Sequence, residues 1–333
     1  IWRYFYSRKK RLSKCLEEYQ PYELNAIWLM SIEKPIDLCN FLDKPFRELE
    51  RIINNPVYNS FEVQKKRGGK REIYEPSNEL MVIQKKLNYF LQASYLSIKP
   101  TESHGFTINP GDGGKKCNIV ENAKAHTNKK YVLNIDLKDF FTNISGRQVF
   151  NVFNTHPFRY NTQISKALSL LTTYKGKLPT GAPTSPVISN FVCLKLDGDL
   201  KIYCDENGLN YTRYADDMTF SCDKLITEAM LSDLFKIVSD NGFVVNDKKL
   251  RLRSSNKKQI VTGLVVNDKV NVDRKVIRNI RAMLHDLVKN GLHDATQKHY
   301  KLGGFADKRY QIQFINRLQG YINFVGQVRG ITD

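Results

Sequence analysis

The chain has 333 residues, with 52 Lys+Arg against 34 Asp+Glu, a formal net charge of +18 and a hydrophobic share of 41%. That share excludes a disordered or fibrous chain, and the length suits roughly two or three domains or lobes around a sizeable core. No run reaches the roughly 18 consecutive apolar residues of a membrane span, and the positive excess calls for a polyanion, nucleic acid ahead of an anionic membrane surface.

Residues 1–60 read as short helices punctuated by Pro21, Pro35, Pro45 and Pro56. The opening IWRYFYSRKKRL lacks the apolar core of a signal peptide, and the start at Ile1 implies that native terminal residues are missing. FEVQKKRGGKREIYE (61–75) predicts a β-hairpin whose Gly-Gly turn is flanked by Lys65, Lys66, Arg67, Lys70 and Arg71. From about Asn78, Leu80, Ile83, Leu87 and Phe90 recur at helical spacing. YVLNIDL (131–137) is an apolar, buried-type strand. A helix is expected over 162–175, stopping at Gly176, and a longer one beyond Pro186 through Val187, Phe191 and Leu194. YTRYADDMTFSC (211–222) predicts two strands around an Asp-Asp turn, followed by a helix through Leu231, Leu234 and Val238 and a strand GFVVN. QIVTGLVVNDKVNV predicts a hairpin around Asn267-Asp268-Lys269, and Asp273 then caps a helix bearing Val276, Ile280, Met283 and Leu287. Arg274, Arg278 and Arg281 lie on or beside another face of that helix, placed to track a phosphate backbone. The mixture predicts an α+β chain.

The six cysteines form no C-x-x-C pair, which predicts reduced, buried thiols of a cytoplasmic protein. His285, His293 and His299 read as helix surface rather than a metal site.

Two features carry chemistry. Asp216 and Asp217 are adjacent acids at a hairpin tip, where each raises the other's pKa unless a cation offsets the repulsion. Asp136 ends an apolar strand, where a lone carboxylate is costly. Neighbouring strands that bring the three together would make a site for two Mg²⁺ ions, suited to in-line phosphoryl transfer.

NIDLKDFF, LPTGAPTSPVISN and YADD, in that order, resemble motifs A, B and C of the reverse transcriptase palm, within a resemblance running from about Phe61 to the C-terminus. Asn122-Ala-Lys-Ala-His126 and Val261-Thr262-Gly263 resemble the retron-type and related bacterial defence-associated enzymes. The resemblance implies a right-hand polymerase: an N-terminal helical extension (1–60), fingers (61–130), a palm of antiparallel sheet with helices on one face (131–270, with fingers elements at about 145–185) and a helical thumb (271–333). It makes Asp136, Asp216 and Asp217 metal ligands, with the Leu137 carbonyl as a further oxygen. Asp139, Phe140 and Phe141 fall beside the incoming nucleotide, Phe141 where an aromatic ring excludes a ribose 2′-hydroxyl; core packing is expected to account for one of the two phenylalanines. Lys65 and Arg71 would bind the triphosphate. Gly181 would let backbone approach the nascent base pair, while Thr180 stands where the family usually has Gln. Lys248, with Lys249 an equal candidate, would protonate departing pyrophosphate, and Asn122 and His126 would contact RNA or fix their loop.

The resemblance further implies dNTP substrates, a structured non-coding RNA template and its DNA product, two Mg²⁺ ions, a separate effector protein, antiphage defence, no membrane, and a possible oligomer. A retron would prime from a ribose 2′-hydroxyl of that RNA. Related enzymes make repetitive or untemplated DNA. An RNA-dependent RNA polymerase is disfavoured by Phe141, a terminal transferase would share the same palm, and a non-catalytic RNA-binding scaffold is disfavoured by the three retained aspartates.

Overall fold

A computed structural model describes residues 19–65, 68–109, 117–303 and 306–330. Lys66, Arg67, Cys15 and the opening segment lie outside the described residues. The chain divides into two compact units. The first holds the described residues up to Cys117 together with Ile135–Met218 and Thr227–Leu250. The second holds Asn118–Asn134, Thr219–Ile226 and the described residues from Arg251 onward.

The first unit begins with three short helices, α1 (Pro21–Met30), α2 (Pro35–Leu42) and α3 (Phe46–Asn54). Pro21 and Pro35 occupy first helical positions, where the missing N–H is no loss, and Pro45 is the N-cap of α3. A hairpin follows, β1 (Tyr58–Gln64) with β2 (Lys70–Pro76), antiparallel from Tyr58↔Pro76 to Gln64↔Lys70. Its turn closes with the Lys65 N–H donating to the Gly69 carbonyl at 2.9 Å. Gly68 and Gly69 have φ of +87° and +83°, which side chains with a Cβ resist. Helix α4 (Asn78–Ile98) buries Leu80, Ile83, Leu87 and Phe90, as their spacing predicts, and Phe90 meets Trp28 and Phe41 edge to face.

The motif-bearing segments follow in chain order. They are α5 (Ile119–Lys124), β3 (Tyr131–Asp136), α6 (Phe140–Asn143), α7 (Gly146–Asn154), α8 (Thr162–Thr172), α9 (Ser185–Val192), α10 (Leu194–Asn207), β4 (Asn210–Tyr214), β5 (Asp217–Cys222) and α11 (Glu228–Asp240). A 3₁₀ turn covers Asp247–Lys249, and β6 (Arg251–Ser254) completes a four-stranded sheet of order β4-β5-β3-β6.

Four boundaries differ from expectation. Helix α8 ends at Thr172, and Gly176 instead serves a tight turn between Tyr174 and Lys177, which exchange backbone hydrogen bonds at 2.8 and 3.1 Å. The helix after Pro186 is two helices meeting at Cys193. The turn between β4 and β5 is Ala215-Asp216, with Asp217 already in the strand. GFVVN makes only an isolated bridge from Val245 to Leu137, because its extended backbone has no continuous partner.

In the second unit β3 and β6 pair antiparallel from Tyr131↔Ser254 to Asn134↔Arg251. The hairpin β7 (Ile260–Val261) and β8 (Leu264–Val265) turns at Thr262-Gly263. The expected turn at 267–269 follows it, closed by reciprocal bonds between Val265 and Asn271. Val120, Ala123, Val132, Val261, Leu264 and Val266 are buried in one cluster. Ile280, Met283, Ala295, Phe314 and Leu318 join α12 (Arg274–Tyr300) to α13 (Lys308–Arg329) in another. Asp273 caps α12 through the Lys275 N–H at 3.0 Å, and Gly291 (φ +77°) kinks it. No helix among the described residues is long and apolar enough to cross a membrane.

Candidate active site

Strand β3 carries Asp136 to its C-terminal end, where the residue is 7% exposed. The Leu137 N–H donates to the Asp216 carbonyl at 3.0 Å, so the end of β3 lies against the β4–β5 turn. Lys138 N–H donates to the Val244 carbonyl and Asn246 N–H to the Asp136 carbonyl, both at 2.8 Å. Neither bond uses the Leu137 carbonyl.

The Asp136 carboxylate accepts from Lys249 Nζ at 2.6 Å and from Asn246 Nδ2 at 3.2 Å. Lys249, rather than Lys248, therefore faces the acidic centre, because the 3₁₀ turn directs one of two adjacent lysines to it. Burial pushes the Asp216 carboxyl above the usual carboxylate range and the Asp136 charge adds to the rise, while Lys249 and Arg71 pull it back. A carboxyl held in this way gains from a cation.

Asp136 and Asp216 come together where the end of β3 meets the β4–β5 turn. Asp217 opens β5 with an exposed side chain, and among the described residues no three His, Cys, Asp or Glu side chains gather as a metal cluster. Two carboxylates still fit Mg²⁺, which binds through one or two of them together with substrate phosphates and water.

The aromatic pair also divides. Phe140 is buried and stacks on Phe243 with centroids 5.9 Å apart, so core packing accounts for it. Phe141 is half-buried, 5.8 Å from the Phe106 ring. Asp139 is exposed in a left-handed conformation (φ +46°).

Motif B lies against the hairpin. The Tyr74 N–H donates to the Thr180 carbonyl at 2.7 Å. Gly181 has φ +113°, and a Cβ there would stand 2.7 Å from Ile73 Cγ2 and 3.1 Å from the Tyr74 carbonyl. Its close approach within the chain is to β2. Arg71 pairs across the hairpin with Val63, and Phe61 with Ile73. Lys70 is taken up by Glu62 at 2.5 Å, and Lys65 sits exposed beside the turn.

Asn122 and His126 are buried, so as placed neither offers itself to RNA. His126 Nδ1 lies 2.7 Å from Ser221 Oγ, which fits the loop-fixing alternative. Nothing in the structure explains why both polar atoms of the buried Asn122 side chain lack partners among the described residues. Arg274, Arg278 and Arg281 are exposed along α12. Of the three histidines, His299 has left the surface role expected of it: its Nε2 meets Asp286 at 2.9 Å. Two residues went unread in the sequence. Asn246, beside Asp136, ends the run GFVVN and opens NDKKL, where the lysines draw the attention, and Arg213, beside the turn, is a cation in a strand with nothing to mark it as buried.

Residues 63–302 match the family model described as reverse transcriptase (RNA-dependent DNA polymerase). The retron Ec86 reverse transcriptase of Escherichia coli is 37% identical over 238 residues, covering 69% of this chain and 70% of that one. The retron Mx162 reverse transcriptase of Myxococcus xanthus is 34% identical over 266 residues, covering 69% of this chain and 52% of its own length. The chain thus spans about half of this second relative. A telomerase structure from Candida albicans, solved with a telomeric RNA fragment, aligns over 85% of this chain and 62% of its own at TM-score 0.47 and 10% identity, too loose a likeness to place any residue.

Proposed function

The chain belongs to the reverse transcriptase family, among the retron-type enzymes, and from that premise we propose that it copies a cognate structured non-coding RNA into DNA by nucleotidyl transfer with two Mg²⁺ ions. The observation that carries the reading is the juxtaposition of Asp136 and Asp216 at the meeting of β3 and the β4–β5 turn, with Lys249 and Arg71 offsetting their charge. Family membership brings dependence on a divalent metal and binding of an RNA template.

Asp136, Asp216 and the Leu137 carbonyl would hold the ions, with Asp217 at the edge of the site. Bound there, the ions would activate the primer hydroxyl and neutralise charge on the triphosphate. Arg71 and Lys65 hold triphosphate oxygens, Arg71 through its fork and Lys65 as a point charge. Phe141 lies under the sugar and excludes a 2′-hydroxyl. Lys249, already at the carboxylate, is the proton donor to departing pyrophosphate. Exposed Arg274, Arg278 and Arg281 track the phosphate backbone of the template–product duplex. The setting is the cytoplasm and antiphage defence, with the effector on a separate chain.

Changing Asp216 and Asp217 together to Ala tests the reading. Incorporation of dNTPs is expected to vanish while most RNA affinity stays, because affinity comes mainly from Lys and Arg. Normal incorporation by that variant refutes it. Sequencing the nucleic acid that co-purifies with the wild type identifies the template: a branched RNA–DNA marks a retron, and repetitive or untemplated DNA marks the related defence enzymes.

A further inference from the structure

Arg213 stands in β4, immediately before Tyr214-Ala215-Asp216-Asp217, and is fully buried. A buried guanidinium is tolerated only when its charge and its five N–H donors are matched. Here the match is complete. Nε and Nη2 donate to the two oxygens of Asp197 at 2.7 and 2.6 Å. Nη1 donates to the Asn190 side-chain carbonyl at 3.0 Å and to the Ala215 main-chain carbonyl at 3.1 Å, and Nη2 also reaches Ser103 Oγ at 3.4 Å. Asp197, equally buried, accepts a further bond from the Tyr211 hydroxyl at 2.8 Å.

Well-packed apolar residues stabilise a core as well as such a pair does. What the pair adds is direction. Ala215 sits at φ +59°, a conformation that a residue with a Cβ holds only under constraint. From the other side Gly105 packs so closely that a Cβ would stand 2.4 Å from the Ala215 nitrogen and 3.0 Å from the Tyr214 carbonyl carbon. Asn190 joins the two, since its Nδ2 donates to the Gly105 carbonyl at 2.9 Å while its own carbonyl receives Arg213. The turn is thus clamped between a guanidinium and a glycine backbone.

We propose that Arg213 is the positioning residue of the metal-bearing turn: held by Asp197 and Asn190, it grips the Ala215 carbonyl and sets the direction in which Asp216 is presented beside Asp136. The inference rests on the functional reading above and deepens it. A residue that merely holds the core together would alter stability and leave metal affinity alone. A positioning residue alters metal affinity beyond what its effect on stability accounts for.

The test uses the full chain with Arg213→Lys, which keeps the charge and loses the fork, and Asn190→Ser, a milder loosening of the same clamp. Val238→Ala, in the buried face of α11, is the control for general destabilisation. Binding of Mn²⁺ is measured by electron paramagnetic resonance without nucleotide or primer, and thermal midpoints are recorded alongside. Arg213→Lys is expected to weaken Mn²⁺ by about tenfold or more, the size expected for losing one charged hydrogen bond, and Asn190→Ser by about threefold. At saturating Mg²⁺ the KM for dNTP is expected to stay within about twofold of wild type, as positioning of metal ligands alone requires. Mn²⁺ affinity within about twofold of wild type in a folded Arg213→Lys protein, or an equal loss in Val238→Ala, overturns the proposal. If Arg213→Lys does not fold, Asn190→Ser decides by the same comparison, with unchanged Mn²⁺ affinity as the refuting result. A wild-type protein that binds no Mn²⁺ and incorporates no dNTP would instead overturn the functional reading beneath it.

Discussion

Replacing Gly181 with Ala probes the contact between motif B and the hairpin. Two costs add. At φ +113° an L-residue is strained, by about 1–2 kcal/mol. The new Cβ also meets Ile73 Cγ2 at 2.7 Å and the Tyr74 carbonyl at 3.1 Å, and such overpacking costs about 1–3 kcal/mol. The sum, about 2–5 kcal/mol, lowers the midpoint of a folding unit of this size on the order of 10 °C. Gly176→Ala is the matched comparison: φ is +72° and nothing lies within 4 Å, so only the strain remains. Adding Ile73→Ala removes the Cγ2 clash and leaves both the backbone strain and the Tyr74 contact. A double-mutant cycle by urea unfolding, followed by circular dichroism, should then give a favourable coupling of about 1–2 kcal/mol. Coupling below about 0.5 kcal/mol, or a Gly181→Ala protein no less stable than Gly176→Ala, would show that this close approach does not constrain the loop.

Phe141→Ala should admit ribonucleotides more readily, read as the ratio of rNTP to dNTP kcat/KM; an unchanged ratio removes the sugar-exclusion role. Lys249→Met should lower the single-turnover incorporation rate by about 10²- to 10⁴-fold and Lys248→Met by little, as for loss of a positioned proton donor; equal effects would deny the distinction that the 2.6 Å contact draws. On α12, Lys298 and, after it, His299 hold the Asp286 carboxyl below the usual range. A depressed carboxylate stabilises the fold above its unfolded pKa, near about 4, and loses that contribution as pH falls through the lower folded value. Asp286→Asn should therefore melt earlier than wild type at pH 7, with the gap closing in acid; a gap independent of pH would assign the effect to packing.

Much of this architecture was legible because periodicity and punctuation report local physics. Leu80, Ile83, Leu87 and Phe90 fell on one face of α4, the two glycines marked the hairpin turn, and Asp273 capped α12. The three motifs singled out Asp136 and Asp216, and the fold sets the end of β3 against the β4–β5 turn that carries the second of them. What failed depended on contacts remote in sequence. Ala215 carries no turn signal, yet it sits at φ +59° with its carbonyl held by Arg213 and its nitrogen against Gly105. The choice between Lys248 and Lys249 hung on one 3₁₀ turn. GFVVN has every mark of a strand, yet a ladder needs a partner as well as propensity. Nothing beside Arg213 in the sequence marks it as buried, because Asp197, which pairs with it in the interior, lies sixteen residues earlier.

The hydrogen bond from Tyr74 to Thr180 has a mechanical consequence. It pins β2 near its base, so the hairpin cannot swing as a rigid flap without breaking that bond and dragging Gly181 off Ile73. The free lever arm is what lies beyond, from Glu72 to the turn at Gly68-Gly69, some four residues or roughly 13 Å of strand. Arg71 thus sits on a short arm of strand whose base motif B holds.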